Sequence, residues 1–446
     1  MAIYSFFEAI CNWLWSLPVL IVLIGGGIYL TLRCDFVQFK HFGAAMKHVF
    51  GGMFRGGKDS DGISGWQAVT AALSATLGTG NIVGVGTAIA LGGPGAVFWM
   101  WIIGFVAMAL KYAEATLAVQ TRIKDADGRF VGGASRYLAS IWKPMGLAYC
   151  VCQTFAYLIA AGVHTGSVVT GAESLGAPRL VSTIVVCILL AIVLFGGLHM
   201  LVNITDKLVP FMAIIYLAVG FVVIILNIGN LVPAIGSIFA GAFTGAAPVG
   251  GFAGAALAAT IKNGCARGMY SSDAGNGSSS YIHAQADVDD PVKQGFFGVF
   301  EVFFDTIIVC SFTALVILST GVWQTGDAGS VLAINAFTGT LGSFGRLVAS
   351  IGLILFAGST CLGFCTFLGL CLDDMFHNKN LRLICQVVFV VIAFLGGTVG
   401  VDVMFMWADL ANAFTVCLNT IGMCILAGLL HKLTKSYFAT GKSSDK

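Results

Sequence analysis

The chain has 446 residues, of which 58% are hydrophobic and only 10% are charged. Soluble domains carry about 25% charged residues, so a soluble protein of this length would expose far too much apolar surface. This composition excludes a soluble enzyme and a disordered protein. The near balance of 23 Lys and Arg against 21 Asp and Glu argues against a nucleic-acid partner. We therefore predict an all-α polytopic membrane protein that is embedded in the lipid bilayer.

A membrane-spanning helix needs about 20 predominantly apolar residues. Eleven segments meet or approach this requirement: 10–32, 64–90, 95–120, 145–171, 179–203, 207–228, 250–283, 294–322, 346–373, 381–400 and 402–431. The seventh segment is the weakest, because charged residues and a glycine/serine tract interrupt it. Two further stretches are expected to form partial or surface helices, 231–249 and 330–345.

The loop charges predict the orientation of the chain, because Lys and Arg concentrate on the cytoplasmic side of a membrane. With eleven spans and an outside N-terminus, 18 basic residues fall in one set of loops, and only Arg179 and Arg346 fall in the other. This asymmetry predicts a multi-pass protein of the cell membrane with a cytoplasmic C-terminus.

Ten helices remain after the first, and they divide into two groups of five. A five-helix unit crosses the membrane an odd number of times, so the second unit is inverted relative to the first, as in many secondary transporters. We predict an N-terminal helix with a basic cytoplasmic linker (1–63), a first repeat (64–228), a second repeat (229–431) and a cytoplasmic tail (432–446).

Glycine is unusually abundant, at 58 of 446 residues. Inverted-repeat transporters bind their cargo where helices are broken at corresponding positions of the two halves. The first helix of each predicted half contains a glycine-rich passage, 78–86 (GTGNIVGVG) and 271–280 (SSDAGNGSSS). A broken helix presents N–H groups that attract a carboxylate and carbonyl groups that attract a cation. The alternative interpretation is close packing of helices through small residues.

Charged side chains inside a span are costly and usually functional. Glu301 and Asp305 are four residues apart, so they share one face of a helix. We expect them either to complete a cation site or to pair with Lys262 or Arg267. Asp273, within the second glycine-rich passage, is a further candidate.

Two other polar pairs have a local interpretation. Lys111 and Glu114 lie near the end of a predicted span, where a local ion pair with the lysine reaching the membrane interface is expected. Ser359 and Thr360 are adjacent hydroxyls in an apolar segment. They either bond back to a carbonyl one turn earlier or ligate sodium beside the first broken helix.

Enzymatic motifs are absent from the chain. It contains no His-Glu-x-x-His, no Gly-x-Ser-x-Gly and no P-loop. We therefore expect no catalytic residues and no cofactor other than a coupling ion.

Several blocks of sequence are distinctive: 62–68 (GISGWQA), 78–85 (GTGNIVGV), 251–255 (GFAGA), 273–278 (DAGNGS) and 305–310 (DTIIVC). In these blocks the chain resembles the alanine/glycine:cation symporter family. The resemblance implies a leucine-transporter-like fold and sodium-coupled, sometimes proton-coupled, uptake of a small amino acid such as alanine or glycine. The implied partners are that amino acid and sodium, and the oligomeric state is left open.

The resemblance also implies which residues form the site. The substrate candidates are Gly78, Thr79, Gly80, Asn81, Ser272, Asp273, Gly275, Gly277 and Phe364. The sodium candidates are Asn81, Asp305, Ser359 and Thr360.

Residues 162–168 and 363–367 depart from the family pattern. These departures keep open a second hypothesis, in which a cation-coupled transporter carries a larger or different solute. A channel or a membrane sensor is a third hypothesis, from a different functional class.

Overall fold

A computed structural model describes residues 2–15, 18–53, 63–125, 128–244, 253–327, 329–399 and 401–439. Nearly all of the described chain is helical, which confirms the all-α prediction. The helices are α1 (Ala2–Leu14), α2 (Pro18–Arg33), α3 (Val37–Lys40), α4 (Phe42–Met53), α5 (Gly65–Thr76), α6 (Val85–Gly92), α7 (Ala96–Thr121), α8 (Ala134–Ile141), α9 (Lys143–Ser174), α10 (Arg179–Leu226), α11 (Ile228–Thr244), α12 (Ala253–Ser272), α13 (Ser280–His283), α14 (Pro291–Val302), α15 (Ser311–Thr320), α16 (Gly329–Phe376), α17 (Lys379–Val399), α18 (Val401–Ile425) and α19 (Ala427–Ala439).

Three shorter helical segments and one pair of strands complete the secondary structure of the described chain. Two π-helical segments, Gly80–Gly84 and Phe303–Cys310, lead into α6 and join α14 to α15. One 3₁₀ turn covers Val322–Thr325. Strands β1 (Ile123–Lys124) and β2 (Phe130–Val131) form a short antiparallel pair between α7 and α8.

Within the described residues, seven helices are long and apolar enough to cross a membrane, or eight when a bent pair is counted as one span. Large apolar side chains are exposed on the outer helices, for example Ile188 and Phe211 on α10 and Val391 on α17. Exposed apolar surface of this kind is typical of helices that face lipid. The chain is therefore an integral membrane protein, although the predicted number of eleven spans is not confirmed.

Helix α10 contains two apolar segments, as predicted, but the boundary between them is not the one expected from the segments 179–203 and 207–228. The helix runs without interruption from Arg179 to Leu226, so Lys207 lies inside a helix and not in a loop. Its two apolar parts, Arg179–Leu194 and Leu198–Leu226, meet at residues 195–197. Polar residues at 203–207 suggested a loop, but they include no glycine or proline to end the helix.

The two stretches predicted as partial helices are helical where described. Helix α11 covers 231–244, and residues 245–249 lie outside the described chain. The stretch 330–345 forms the first part of α16, which bends at Gly342, where φ is 61° and ψ is −140°. Because this left-handed φ is open to glycine at little cost, Gly342 allows the helix to turn before it enters the bundle.

The bundle is built around α9, which packs against α16, α17 and α18, and around α7, which packs against α12 and α14. Glycines allow several of these helices to approach closely. A Cβ at Gly396 on α17 would overlap the backbone of Gly162 on α9, and one at Gly298 on α14 would lie 2.7 Å from the carbonyl oxygen of Lys111 on α7. Part of the glycine excess therefore serves helix packing.

We predict that Gly396→Ala destabilises the protein, because the new methyl group meets backbone atoms that have no alternative rotamer. Overpacking of this kind costs about 1–3 kcal/mol, which a thermal unfolding midpoint in detergent will register as a decrease. Gly339→Ala is the matched control, because Gly339 is helical and nothing lies within 4 Å of its added Cβ. An equal decrease for both variants would contradict the close-packing role.

Candidate substrate and cation site

The first helix break separates α5 from the helical segment Gly80–Gly92, and the two are bent by 51°. Helix α5 begins with a capping box between Ser64 and Gln67 and ends at Thr76. At the break, the side-chain oxygen of Asn81 accepts a hydrogen bond of 2.9 Å from the backbone N–H of Gly78. The break is therefore a defined turn that the chain itself stabilises.

Both glycines at this break lie against neighbouring helices. A Cβ at Gly78 would overlap the hydroxyl oxygen of Thr360 on α16, and a Cβ at Gly80 would lie 2.5 Å from Cα of Ser271 on α12. Any side chain at either position would push these helices away. The pattern Gly-x-Gly therefore allows the first break to contact the second half of the chain directly.

The second break follows Ser272, where α12 ends. Asp273, Gly275 and Gly277 have φ values of 50°, 83° and 84°, all in the left-handed region. A Cβ at Gly275 would lie 2.6 Å from Leu23 Cδ2, and a Cβ at Gly277 would lie 2.5 Å from the Tyr149 hydroxyl. These two glycines therefore serve the turn and its close packing.

The carbonyl groups of the second break are satisfied by side chains of three surrounding helices. A lysine of α7, two tyrosines of α9 and an asparagine of α18 each donate to one of them. The four bonds are Lys111 Nζ to Asp273 O (3.1 Å), Tyr149 Oη to Asn276 O (2.6 Å), Tyr157 Oη to Ser278 O (2.9 Å) and Asn419 Nδ2 to Gly275 O (2.9 Å). The unwound backbone is thus held in one conformation.

The carboxylate of Asp273 accepts hydrogen bonds from the Asn276 side chain at 2.7 Å and from the Ser278 hydroxyl. The Asn276 side-chain oxygen in turn accepts from Thr415 on α18. These bonds fix the orientation of the Asp273 carboxylate with neutral donors.

A cavity of about 50 Å³ lies between the two breaks. Five of the nine predicted substrate residues line it: Gly78, Thr79, Gly80, Asp273 and Phe364. The structure therefore brings the two glycine-rich passages together at one cavity.

The other four predicted substrate residues do not line this cavity. Asn81 is fully buried behind the first break and bonds to Asp305. Ser272 is also fully buried, and its hydroxyl donates to the carbonyl of Met269 at 3.3 Å. Gly275 and Gly277 face Leu23 and Tyr149, as described above.

Several lining residues were not identified from the sequence. They are Trp15, Gln153, Tyr157, His164, Tyr270 and Asn412, among others. A signal was present on α9, because Gln153, Tyr157 and His164 are spaced by four and seven residues and so share one helix face. No comparable signal marks Trp15, whose indole N–H donates to the Asp409 carbonyl of α18 at 2.9 Å.

Asp305 lies in the π-helical segment between α14 and α15 and is fully buried. Its carboxylate accepts hydrogen bonds from Asn81 at 2.7 Å, Ser271 at 2.8 Å and Thr306 at 2.8 Å. It therefore connects the first broken helix to α12. All three of these donors are neutral groups.

Of the two alternatives expected for Glu301 and Asp305, the pairing with Lys262 or Arg267 is wrong. Glu301 contacts Lys111 and His283, and Arg267 instead forms a 3.8 Å ion pair with Asp409. The physical reason is the tertiary arrangement, which places α7 and α13 beside Glu301.

Ser359 and Thr360 both donate to the carbonyl of Phe356 at 3.0 Å, so both form the expected bond back to the preceding turn. Their oxygens still have acceptor capacity. Thr360 faces Gly78, whereas Ser359 lies 3.8 Å from the sulfur of Met212. The four sodium candidates therefore lie on two sides of the first break.

The prediction that Lys111 reaches the membrane interface is also wrong. Its side chain is fully buried and points to the second break, where it bonds to the Asp273 carbonyl. The side chain lies 3.4 Å from Glu114, as expected for a local pair, and 3.6 Å from Glu301. A second carboxylate and a free carbonyl make the interior more favourable for this lysine than the interface.

The fold and the sequence both have known relatives. The structure of MhsT in complex with L-phenylalanine matches with a TM-score of 0.58 at 11% identity, covering 86% of this chain and 99% of that one. This likeness shows a leucine-transporter-like fold.

The sodium/alanine symporter AgcS of Methanococcus maripaludis is 36% identical over 458 residues, which cover 100% of both chains. The probable sodium/glutamine symporter GlnT of Bacillus subtilis is 32% identical over 440 residues, which cover 95% of this chain and 88% of its relative. Residues 1–446 match the family described as the sodium:alanine symporter family. The chain therefore belongs to the sodium:alanine symporter family.

Proposed function

We propose that this protein is a sodium-coupled symporter of a small amino acid, such as alanine or glycine, that works by alternating access. The observation that carries the proposal is the cavity enclosed between the two helix breaks. Its lining combines the N-terminal end of the half-helix Gly80–Gly92 with the carboxylate of Asp273. These are the two features that a zwitterion needs.

The carboxylate of the amino acid binds at the first break. The first N–H groups of a helix have no partner within that helix, and the helix dipole favours an anion there. Gly78 and Gly80 have no side chains to block the approach, and the Thr79 hydroxyl lines the same wall. The ammonium group then faces the second break, where Asp273 provides an opposite charge.

The cavity volume favours a small side chain. A water-sized group needs about 10–15 Å³ on the same measure, so about 50 Å³ holds roughly three to five such groups. Phe364 limits the space, since its ring lies against Tyr157 and His164 with centroids 5.4 Å apart in both cases. Glycine and alanine match this size better than glutamine does.

Sodium binds beside the first broken helix, where oxygen ligands suit a hard cation. Asp305 and Asn81 form one group of candidate ligands, and Ser359 and Thr360 form the other. Asp305 is joined to the first break through Asn81, whose side-chain oxygen accepts from the Gly78 N–H. Thr360 lies directly against Gly78. Sodium on either side therefore stabilises the conformation of the break that binds the substrate.

The same proposal assigns the architecture and the orientation. Residues 64–228 and 229–431 form two inverted five-helix repeats after the N-terminal segment 1–63. The protein lies in the cell membrane with its N-terminus outside and its tail, 432–446, in the cytoplasm. The distribution of Lys and Arg among the predicted loops supports this orientation.

The relative GlnT, named as a probable sodium/glutamine symporter, supports the alternative of a larger substrate. A transport assay with competing amino acids distinguishes a small substrate from a larger one. We predict that purified protein in liposomes takes up labelled alanine when a sodium gradient is imposed, and that unlabelled glycine competes more strongly than glutamine. Uptake that is equal in potassium, or competition led by glutamine, would contradict the proposal.

We predict that Thr360→Ala weakens sodium binding, because it removes one hydroxyl oxygen from the candidate site. The loss of one hydrogen-bonding or ligand interaction with a charged group costs about 1.5 kcal/mol, which raises the half-saturating sodium concentration about tenfold. Thr398→Ala is the matched control, because Thr398 makes the same kind of bond to the Phe394 carbonyl but is only half-buried and lies on α17, outside the candidate site. Equal sodium dependence in both variants would rule out this role.

We predict that Phe364→Ala widens the substrate range of the transporter. Removing the ring enlarges the cavity, so affinity for alanine falls while glutamine or leucine becomes a competitor. Phe344→Ala is the control, because Phe344 lies on the same helix and its side chain is 58% exposed. If the competition profile of the Phe364 variant stays that of the wild type, Phe364 does not set the size of the pocket.

A further inference from the structure

A second group of charged side chains adjoins the helix break but does not line the cavity. This group, which we call the lysine cluster, comprises Lys111, Glu114, His283 and Glu301, all with fully buried side chains. The members come from α7, α13 and α14. The substrate and sodium candidates do not include any of them, so the proposed symport mechanism leaves this cluster without a role.

Lys111 is the centre of the cluster. Its ammonium group lies 3.4 Å from Glu114 and 3.6 Å from Glu301, and it donates to the Ser279 hydroxyl at 3.0 Å. The same ammonium group donates to the main-chain carbonyl of Asp273. The lysine cluster is therefore joined to the backbone of the second break by a hydrogen bond.

His283 is held at both ring nitrogens. Nε2 lies 2.9 Å from a carboxylate oxygen of Glu301, and Nδ1 lies 2.7 Å from the side-chain amide of Gln294. The other atom of that amide, the Gln294 oxygen, is buried and receives no hydrogen bond from any described residue. If the amide is turned by 180°, this oxygen faces Nδ1, and both ring nitrogens then donate.

The two amide orientations correspond to the two charge states of the histidine. With the nitrogen toward Nδ1, the imidazole is neutral and donates only from Nε2 to Glu301. With the oxygen toward Nδ1, the imidazole is protonated, and each N–H has an acceptor. The site thus accommodates a proton by a side-chain rotation, without movement of the backbone.

The charged groups that surround His283 are mostly carboxylates. The charged groups around it are Lys111, Glu114 and Glu301, and Asp273 lies at the adjoining break. One ammonium therefore faces three carboxylates when the histidine is neutral. Excess charge is costly in a membrane interior. A proton on His283 balances the lysine cluster itself and leaves Asp273 for the ammonium group of the substrate.

We propose that His283, paired with Glu301, is a proton-binding site that controls the second helix break. The imidazole takes a proton from the aqueous phase onto Nδ1 and keeps its Nε2–H directed at Glu301. In the neutral state, Lys111 alone balances Glu301 and is drawn toward it. In the protonated state, His283 shares that charge, and Lys111 holds the Asp273 carbonyl in the conformation that binds substrate.

The proton site itself is tested without any transport assay. In ¹⁵N-histidine-labelled protein in lipid nanodiscs, we expect one histidine signal that is absent from His283→Gln and that titrates between about pH 5 and 9. Glu301→Gln should lower its midpoint by about one pH unit, a tenfold weaker proton affinity. This shift also assigns the signal if the His283 variant does not fold. A His283 signal that stays in one charge state over this range would overturn the proposal.

The link to substrate rests on the proposed function and has its own test. At saturating sodium, we expect the Kd for alanine to rise about tenfold from pH 5.5 to pH 8.5 in the wild type, because the protonated state binds substrate. In His283→Gln the Kd should change less than about twofold over the same range. His431→Gln is the control, because His431 bonds to the Arg33 carbonyl away from the cluster. It should retain the wild-type profile.

The proton-site proposal and the proposed function are contradicted by different outcomes. A wild-type pH profile in His283→Gln would overturn the control of the break by this proton. If the wild type binds no small amino acid at all, the proposed function fails, and the histidine titration still decides whether the proton site exists.

Discussion

The structure depends on one constraint, which is that backbone N–H and C=O groups inside a membrane need partners. The second helix break leaves the carbonyls of Asp273 to Ser278 outside any helix, and buried side chains of α7, α9 and α18 donate to four of them. Those helices belong to the surrounding bundle, so the break is anchored on several sides. Lys111, an otherwise expensive buried cation, is explained by this requirement.

The backbone polar groups of the first break are bonded differently, and this difference separates the role of the first break from that of the second. Asn81 caps the Gly78 N–H with its oxygen and uses its nitrogen to hold Asp305. One side chain therefore joins the backbone that faces the cavity to a buried carboxylate behind it. We propose that sodium on the Asp305 side acts on the geometry of the first break, where the carboxylate of the substrate binds. Thr360 lies against Gly78, and we propose that it gives a second route for the same coupling.

Much of the fold was predictable from the sequence, because apolar length and glycine-rich interruptions are local properties. The break at 78–80 and the break after Ser272 lie where the sequence pattern indicated them. The point at which the two apolar segments of α10 meet was not predictable, because the polar residues at 203–207 resemble a loop although they are helical. Trp15 and Asn412 come to the cavity from distant parts of the chain, and only tertiary packing determines that they meet. The buried position of Lys111 could not be predicted for the same reason, since both its acceptors at Glu301 and Asp273 are far away in sequence.

The central claim is that one broken helix links the sodium site to the amino-acid site. The most direct measurement is a pair of binding titrations on purified protein, with alanine titrated at several sodium concentrations and sodium titrated at several alanine concentrations. Thermodynamic linkage requires each ligand to raise the affinity of the other by the same factor. The account predicts a factor of about ten or more, which corresponds to a coupling free energy of about 1.4 kcal/mol. Alanine affinity that is the same in sodium and in potassium would contradict it.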